Sequence, residues 1–171
     1  MPTIEETGAT AAANAQPKGG KYLTFGLGSE EFGVAVLHVR EIMGIQDVTS
    51  VPQTPHFVKG VLNLRGKVIP VIDLRLKFGL PEKEYTQRTC IIVAQLHQGI
   101  ANRLIGIIVD GVSEVLTIQA DDVEDTPDFG NGVEIPYILG MAKIKGKVKI
   151  LLNMNQVLTS GELEGLDRIA D

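Results

Sequence analysis

The sequence predicts a mainly β protein in which one small barrel-forming unit is used twice, and three observations carry that prediction. From Lys21 onward the apolar runs are short and broken by Gly, Pro, Asn and Asp at close intervals. Two ordered blocks of the first half return in the second. Val68 to Ile72 and Ile105 to Val109 are apolar at nearly every position, the pattern of strands covered on both faces rather than wetted on one.

Taken in order, residues 1–19 are rich in Ala, Thr, Gly and Glu without periodicity and read as a flexible tail. Leu23, Phe25 and Leu27 alternate, Gly28-Ser29-Glu30-Glu31 turns the chain, and Phe32 to Val36 returns, which is a hairpin pattern. Strands are predicted at Val61 to Leu64, Val68 to Ile72, Cys90 to Leu96, Arg103 to Val109, Val115 to Ile118, Ile138 to Ile144 and Lys147 to Leu152. Helical spacing is confined to Leu37 to Met43, Leu74 to Phe78, Asn153 to Leu158 and Glu162 to Ala170. Val157, Leu158, Leu163, Leu166 and Ile169 form apolar stripes by which the last pieces can dock on the body.

The repeat is the most informative feature. Gly33-Val34-Ala35-Val36-Leu37-His38-Val39-Arg40-Glu41-Ile42 aligns with Gly106-Ile107-Ile108-Val109-Asp110-Gly111-Val112-Ser113-Glu114-Val115, an offset of 73. Gly60 to Val68 aligns with Gly140 to Val148 at an offset of 80, and Val71-Ile72-Asp73-Leu74 follows with Leu151-Leu152-Asn153-Met154. The second copy therefore carries a longer intervening loop, placed within Ala120 to Pro136. Each copy reads as strand, turn, strand, short helix, loop, strand, Gly-Lys turn, strand. At roughly 70 residues that order suits a small barrel of SH3-like size with a thin core, so the two are expected to pack together along the continuous apolar strands.

No motif of catalytic or cofactor chemistry is evident in the sequence. Gly26-Leu27-Gly28 opens like a dinucleotide loop, but Glu31 stands where the third glycine belongs. His38, His56 and His97 show no metal-ligand spacing. Asp121, Asp122, Glu124, Asp125 and Asp128 do not fit a calcium loop, and no Ser lies in a Gly-x-Ser-x-Gly elbow. No catalytic residue, cofactor or metal is predicted, and the chain is not expected to be an enzyme.

The net charge of −5 argues against nucleic acid. Lys143, Lys145, Lys147 and Lys149 alternate and are expected on one exposed strand face. The apolar runs are too short to span a bilayer, and no signal peptide is evident at the start, so no membrane insertion is expected. Cys90 is the single cysteine, which fits a reducing compartment and a buried thiol. Glu41 and Arg65 match Glu114 and Lys145 in the repeat, so each unit is expected to hold a carboxylate–cation pair between its short helix and its glycine-bounded strand.

Val39-Arg40-Glu41-Ile42, Pro52 to Pro55, and Phe57 through the Asn63-Leu64-Arg65-Gly66 block to Leu74 closely resemble the CheW-type chemotaxis coupling proteins. Gly106 to Leu116 continues the likeness, which covers Lys21 to Leu158. The resemblance implies two intertwined five-stranded SH3-like barrels, divided as a tail (1–19), a coupling domain (20–158, with interleaved modules near 20–88 and 89–158) and a C-terminal helical tail (159–171). It implies a cytoplasmic bridge, within membrane chemoreceptor arrays, between receptor tips and the regulatory domain of a histidine kinase. The length has no room for the kinase's catalytic domains or for a receiver domain.

By the same resemblance Val39, Glu41, Gly60, Arg65, Val112 and Val115 are assigned to the receptor surface. The kinase contact is expected at Val48 and Val51, with Phe129 as a second contact. The competing readings are a sensor holding a small molecule between the barrels, and the same coupling role in another output such as twitching motility.

Overall fold

The computed structural model describes residues 19–98, 101–124 and 136–170. Strands β1 (Gly20–Leu27) and β2 (Glu30–Ala35) form the expected hairpin. A single 3₁₀ turn, Val36–His38, leads into β3 (Val39–Gly44). Then come β4 (Val58–Leu64), β5 (Lys67–Asp73) and the short helix α1 (Leu74–Lys77). The second half supplies β6 (Cys90–Gln98), β7 (Ala101–Val109), β8 (Gly111–Ile118), the two-residue β9 (Val123–Glu124), β10 (Ile138–Ile144) and β11 (Lys147–Leu152). A 3₁₀ turn at Met154–Gln156 and helix α2 (Ser160–Ala170) close the chain. The expected N-terminal tail lies outside the described residues except for Gly19.

Two sheets result, one ordered β8-β1-β2-β11-β10-β9 and the other β3-β6-β7-β5-β4. The orders are the same pattern written twice, and each takes its central hairpin from the other half of the chain. Hairpin β1–β2 sits between β8 and β11, while β6–β7 sits between β3 and β5. The joins are the parallel pairs, Glu31–Val34 against Lys149–Leu152 and Val71–Asp73 against Gly106–Ile108. Parallel neighbours need a long crossover, and here the intervening strands provide it. One sheet carries a sixth strand, β9, against Met141 and Ala142; the other has only the isolated bridge Thr49–Val61 in the equivalent place. The expected five strands per unit thus become six in one sheet.

The matched residues of the repeat do matched work. Arg65 and Gly66 (φ 51° and 89°) and Lys145 and Gly146 (φ 53° and 80°) place two left-handed residues in succession. That is the two-residue hairpin turn whose twist suits its flanking strands. Asp73 accepts a hydrogen bond from Arg75 N (2.9 Å) and Asn153 one from Asn155 N (3.1 Å), so each caps the helical turn that follows it.

Three apolar layers explain the continuous strands. Ile91 and Val93 of β6 point into the five-stranded sheet's own core with Leu62, Ile69, Val71 and Ile108. Their neighbours Ile92, Ala94 and Leu96 point the other way, into a larger layer between the sheets that also takes Phe25, Val34, Ile107 and Leu152. A third cluster, Tyr22, Ile118, Ala142 and Leu151, fills the six-stranded sheet. Helix α2 buries Leu163 and Leu166 in the middle layer. Its start is a capping box: Thr159 Oγ1 accepts from Glu162 N (3.1 Å) and Glu162 Oε1 accepts from Thr159 N (2.8 Å).

Two expectations are corrected. Leu37 to Met43 is not a helix beyond its first turn. Residues 39–44 alternate between half-buried and exposed and pair with Cys90 to Ala94, because the open edge of β6 offers a full ladder to β-branched Val39 and Ile42. The four lysines do not share a strand face, since Gly146 turns the chain between them. Lys143, Lys145 and Lys147 are exposed, whereas Lys149 is buried and paired with Glu31 across the parallel join.

Gly60 has φ 143°, and a Cβ built there would lie 1.9 Å from Thr49 O. Thr49 and Val61 exchange two backbone hydrogen bonds of 2.9 Å at this place. Gly60→Ala is expected to break that bridge and lower unfolding stability by about 2–4 kcal/mol, from backbone strain and lost hydrogen bonds. Gly44→Ala, whose Cβ meets nothing within 4 Å, should change it by less than about 0.5 kcal/mol. Urea melts of the two variants measure the difference; equal losses would refute the contact.

Candidate docking surfaces

Strands β3 and β8 occupy equivalent edges of their sheets, and both lay valines on the layer between the sheets. Val39 lies opposite Ala94 and Val112 opposite Phe25, each partly buried against that layer. Val115, opposite Leu23, is 55% exposed. Leu37, next to the buried His38, is 68% exposed and was not singled out from the sequence. Its neighbours in a supposed helix hid the signal, because a leucine in a helical stripe reads as core.

Glu41 faces another way. A bulge between Val39 and Glu41 puts Glu41 opposite Val93, on the side of the five-stranded sheet's own core. From there it reaches Arg65 at the β4–β5 turn, with Nη2 to Oε1 at 2.5 Å and Nη1 to Oε2 at 3.4 Å. Strands β3 and β4 are the outermost of that sheet, so a side-chain pair between them means that the sheet curls toward closure. The hydrogen bond from Arg65, and then its charge, hold the Glu41 carboxyl below its ordinary range. The guanidinium side chain remains 70% exposed, accessible to a partner.

The corresponding pair in the other sheet is absent among the described residues. Glu114 and Lys145 form no ion pair, and both backbone groups of Glu114 are tied to Thr24 Oγ1 (3.0 and 3.2 Å). A similar register shift between β1 and β8 puts Glu114 in the matching place, so the difference lies in the cation. A planar guanidinium forks over both carboxylate oxygens, and a lysine amine cannot. The Glu41–Arg65 pair also fastens a strand, not the helix expected.

Gly60 is buried, and the backbone that approaches it closely is the chain's own Thr49. Its close approach to Thr49 fixes the start of the loop that follows β3. Val48, in that loop, packs against the five-stranded sheet's core with Met43 and Leu64. Val51 is half-buried and lines a groove of about 410 Å³ between residues 51–58 and α2, with Pro52, Pro55, Phe57 and Leu166. Helix α2 presents Gly161 and Gly165 there, a four-residue spacing whose meaning the sequence alone did not reveal. Phe129 lies outside the described residues, as do Asp125 and Asp128.

Between the sheets there is a void of only about 10 Å³ lined by Phe25, Val39, Leu74 and Met154 among others, room for about one water. That disfavours a small-molecule ligand held there. Among the described residues, no three His, Cys, Asp or Glu side chains gather as metal ligands would. His38 and His97, scattered in sequence, come together with ring centres 5.6 Å apart.

Residues 21–162 match the CheW-like domain family. The chain is 39% identical over 152 residues to the chemotaxis protein CheW of Klebsiella aerogenes, covering 89% of each. It is 38% identical over 156 residues to that of Rhizobium meliloti, covering 91% of this chain and 98% of the relative. Among solved structures it resembles the scaffolding protein TtCheW from Thermoanaerobacter tengcongensis, with a TM-score of 0.74, 30% identity, and coverage of 84% of this chain and 95% of that one. Doubled sheet order, matched turns and sequence likeness agree: the chain belongs to the CheW-like domain family.

Proposed function

We infer that this chain is a non-enzymatic adaptor of a chemotaxis pathway, which holds a chemoreceptor tip on one surface and the regulatory domain of the histidine kinase on another. The observation that carries the reading is that one apolar layer underlies both surfaces. Val39 and Val112 pack on the same buried cluster that contains Phe57, Val58 and Leu166 beneath the Val51 groove. Two proteins docked on those sides would be held by a single body. A helical receptor tip would place apolar side chains on Val39, Val112 and Val115 and meet the Glu41–Arg65 fork. The kinase domain would use the groove, with Val48 supporting the loop from inside. No helix among the described residues is long and apolar enough to cross a membrane.

Arg65→Ala is expected to weaken binding of a receptor cytoplasmic hairpin by about 2–5 kcal/mol if the fork is desolvated in the complex. The melting temperature should stay within about 3 °C, because an exposed pair adds little to folding. Calorimetric titration and a thermal melt read the two effects, and a collapsed melt would make the pair structural instead.

Because the Glu41 carboxyl is held below its ordinary range, the pair persists at neutral pH. It is lost only as the pH falls through that depressed value, so receptor affinity should not change through Glu41 near neutrality.

Val51→Glu is expected to reduce capture of the kinase regulatory domain by about tenfold or more, the price of a carboxylate in an apolar groove. Receptor binding should be unchanged. Parallel pull-downs with each partner alone and both together decide it, and equal loss of both would contradict separate surfaces.

A further inference from the structure

Among the residues that line the small void between the sheets, His38 is the polar one. It sits in the 3₁₀ turn Val36–His38, immediately before β3, and is 3% exposed. Its Nδ1 lies 3.2 Å from the carbonyl oxygen of Gln95. A carbonyl only accepts, so Nδ1 carries the proton and the neutral ring leaves Nε2 bare. That Nε2 is buried without a hydrogen-bond partner. A bare ring nitrogen in an apolar place is tolerable, but an added proton there would bury both a charge and an unmet donor.

Apart from the Gln95 carbonyl, the surroundings oppose protonation. The adjoining void is walled by Phe25 of β1, Val34 of β2, Ile92 of β6, Ile107 of β7, Leu74 of α1 and Met154 of the last 3₁₀ turn, none of them titratable. Ionisable side chains stand on both strands next to the ring. Arg40, on β3, donates from Nη1 to the Gln95 side chain at 2.5 Å. His97, on β6, has its ring centre 5.6 Å away. Charge on His97 disfavours charge on His38.

We propose that His38 is an acid-sensitive latch: neutral, it holds the Val36–His38 turn down on the seam beside Val39, and protonated, it releases that turn together with the start of β3. Burial pulls the imidazole below its ordinary range, the hydrogen bond to Gln95 partly offsets this, and the charge of His97 lowers it again. For a base depressed in this way the sign is fixed. The closed form is fully stable above the ordinary imidazole range near pH 6.5, because open and closed forms are then both neutral. Below it the open form takes the proton first, and the balance shifts toward opening about tenfold per pH unit, until the depressed value is reached. The latch is a property of the chain itself; its effect on receptor binding rests on the assignment of Val39 and Val115 to that partner.

The test follows the full chain by NMR from about pH 7.5 to about pH 5.5, the range in which a histidine switch operates. The imidazole titration of His38 and the hydrogen exchange of the residue 36–40 amides, corrected for intrinsic rate, are measured together. In the native chain His38 should titrate below the ordinary range, and protection at residues 36–40 should fall about tenfold per pH unit below about pH 6.5. His38→Gln, which keeps a donor for Gln95 but cannot titrate, should show no such fall.

His97→Gln, which leaves His38 in place, should raise the His38 midpoint, so that the loss of protection still begins near pH 6.5 but levels off sooner and is smaller in total. Titration of His38 like a free imidazole with unchanged exchange, or the same acid release in His38→Gln, would overturn the latch. Acid release with receptor-hairpin affinity unaltered would leave the latch standing and refute the receptor face instead.

Discussion

Neither half of this chain can complete a sheet by itself, and most of the molecule follows from that constraint. Each half contributes an outer strand and a hairpin to one sheet and lends its first hairpin to the other. The borrowed hairpin is held by a parallel ladder, β2 on β11 in one sheet and β7 on β5 in the other. Two of the polar contacts between halves stand at these joins. Lys149 is buried against Glu31 on the first ladder. Asp110, between β7 and β8, accepts from Gly28 N (2.8 Å) and faces Arg75 Nε (3.3 Å). A buried ammonium without its carboxylate would be strongly destabilising, so these pairs favour one register over a slipped one. Small barrels of this size have thin cores; the exchange adds a third apolar layer, and the separate units become one body.

Much of this was legible because the repeat preserves residues with stringent local demands. The turns at Arg65-Gly66 and Lys145-Gly146 need left-handed backbone, and the caps at Asp73 and Asn153 need short acceptors; both demands leave marks in a sequence. What was not legible depends on which strand lies next to which. Leu37 to Met43 satisfies a helical spacing over seven residues, too short a window to distinguish periods, and only the free edge of β6 decides for a strand. Lys149 looked like its exposed neighbours, because nothing local announces that Glu31 is beside it across a parallel ladder.

The candidate surfaces divide along the same line. The Glu41–Arg65 pair was visible as a matched pair of residue types, and the structure supplies the geometry. The same matching misled for Glu114 and Lys145, since similarity of charge does not reproduce the fork of a guanidinium. Gly60 was read as allowing close approach, and it does so, but to Thr49 of its own chain. Its contact is with the loop that carries Val48 and Val51. The contribution of α2 to the groove could not be read at all, because it depends on where Leu163 and Leu166 anchor the helix.

An adaptor of this kind has a physical requirement that enzymes lack: its contacts must be individually modest yet mutually fixed in space. Linking two weak sites raises overall avidity only when the geometry between them allows both to be filled at once. The layer between the sheets supplies that fixed geometry, since Val39 and Val112 on one side and Phe57 and Leu166 on another rest on the same close-packed cluster. It follows that the most consequential defect in such a protein is one inside the layer rather than on either face. His38 is a polar group placed there, one residue from Val39, in a turn closed by the bond from Val39 N to Val36 O and held to β6 by its own bond to Gln95. A charge introduced at that point would loosen the turn beside one candidate surface while the groove under Val51 keeps its own anchors. The two proposed contacts would then be separable by a single proton, which a rigid scaffold with a wholly apolar layer could not achieve.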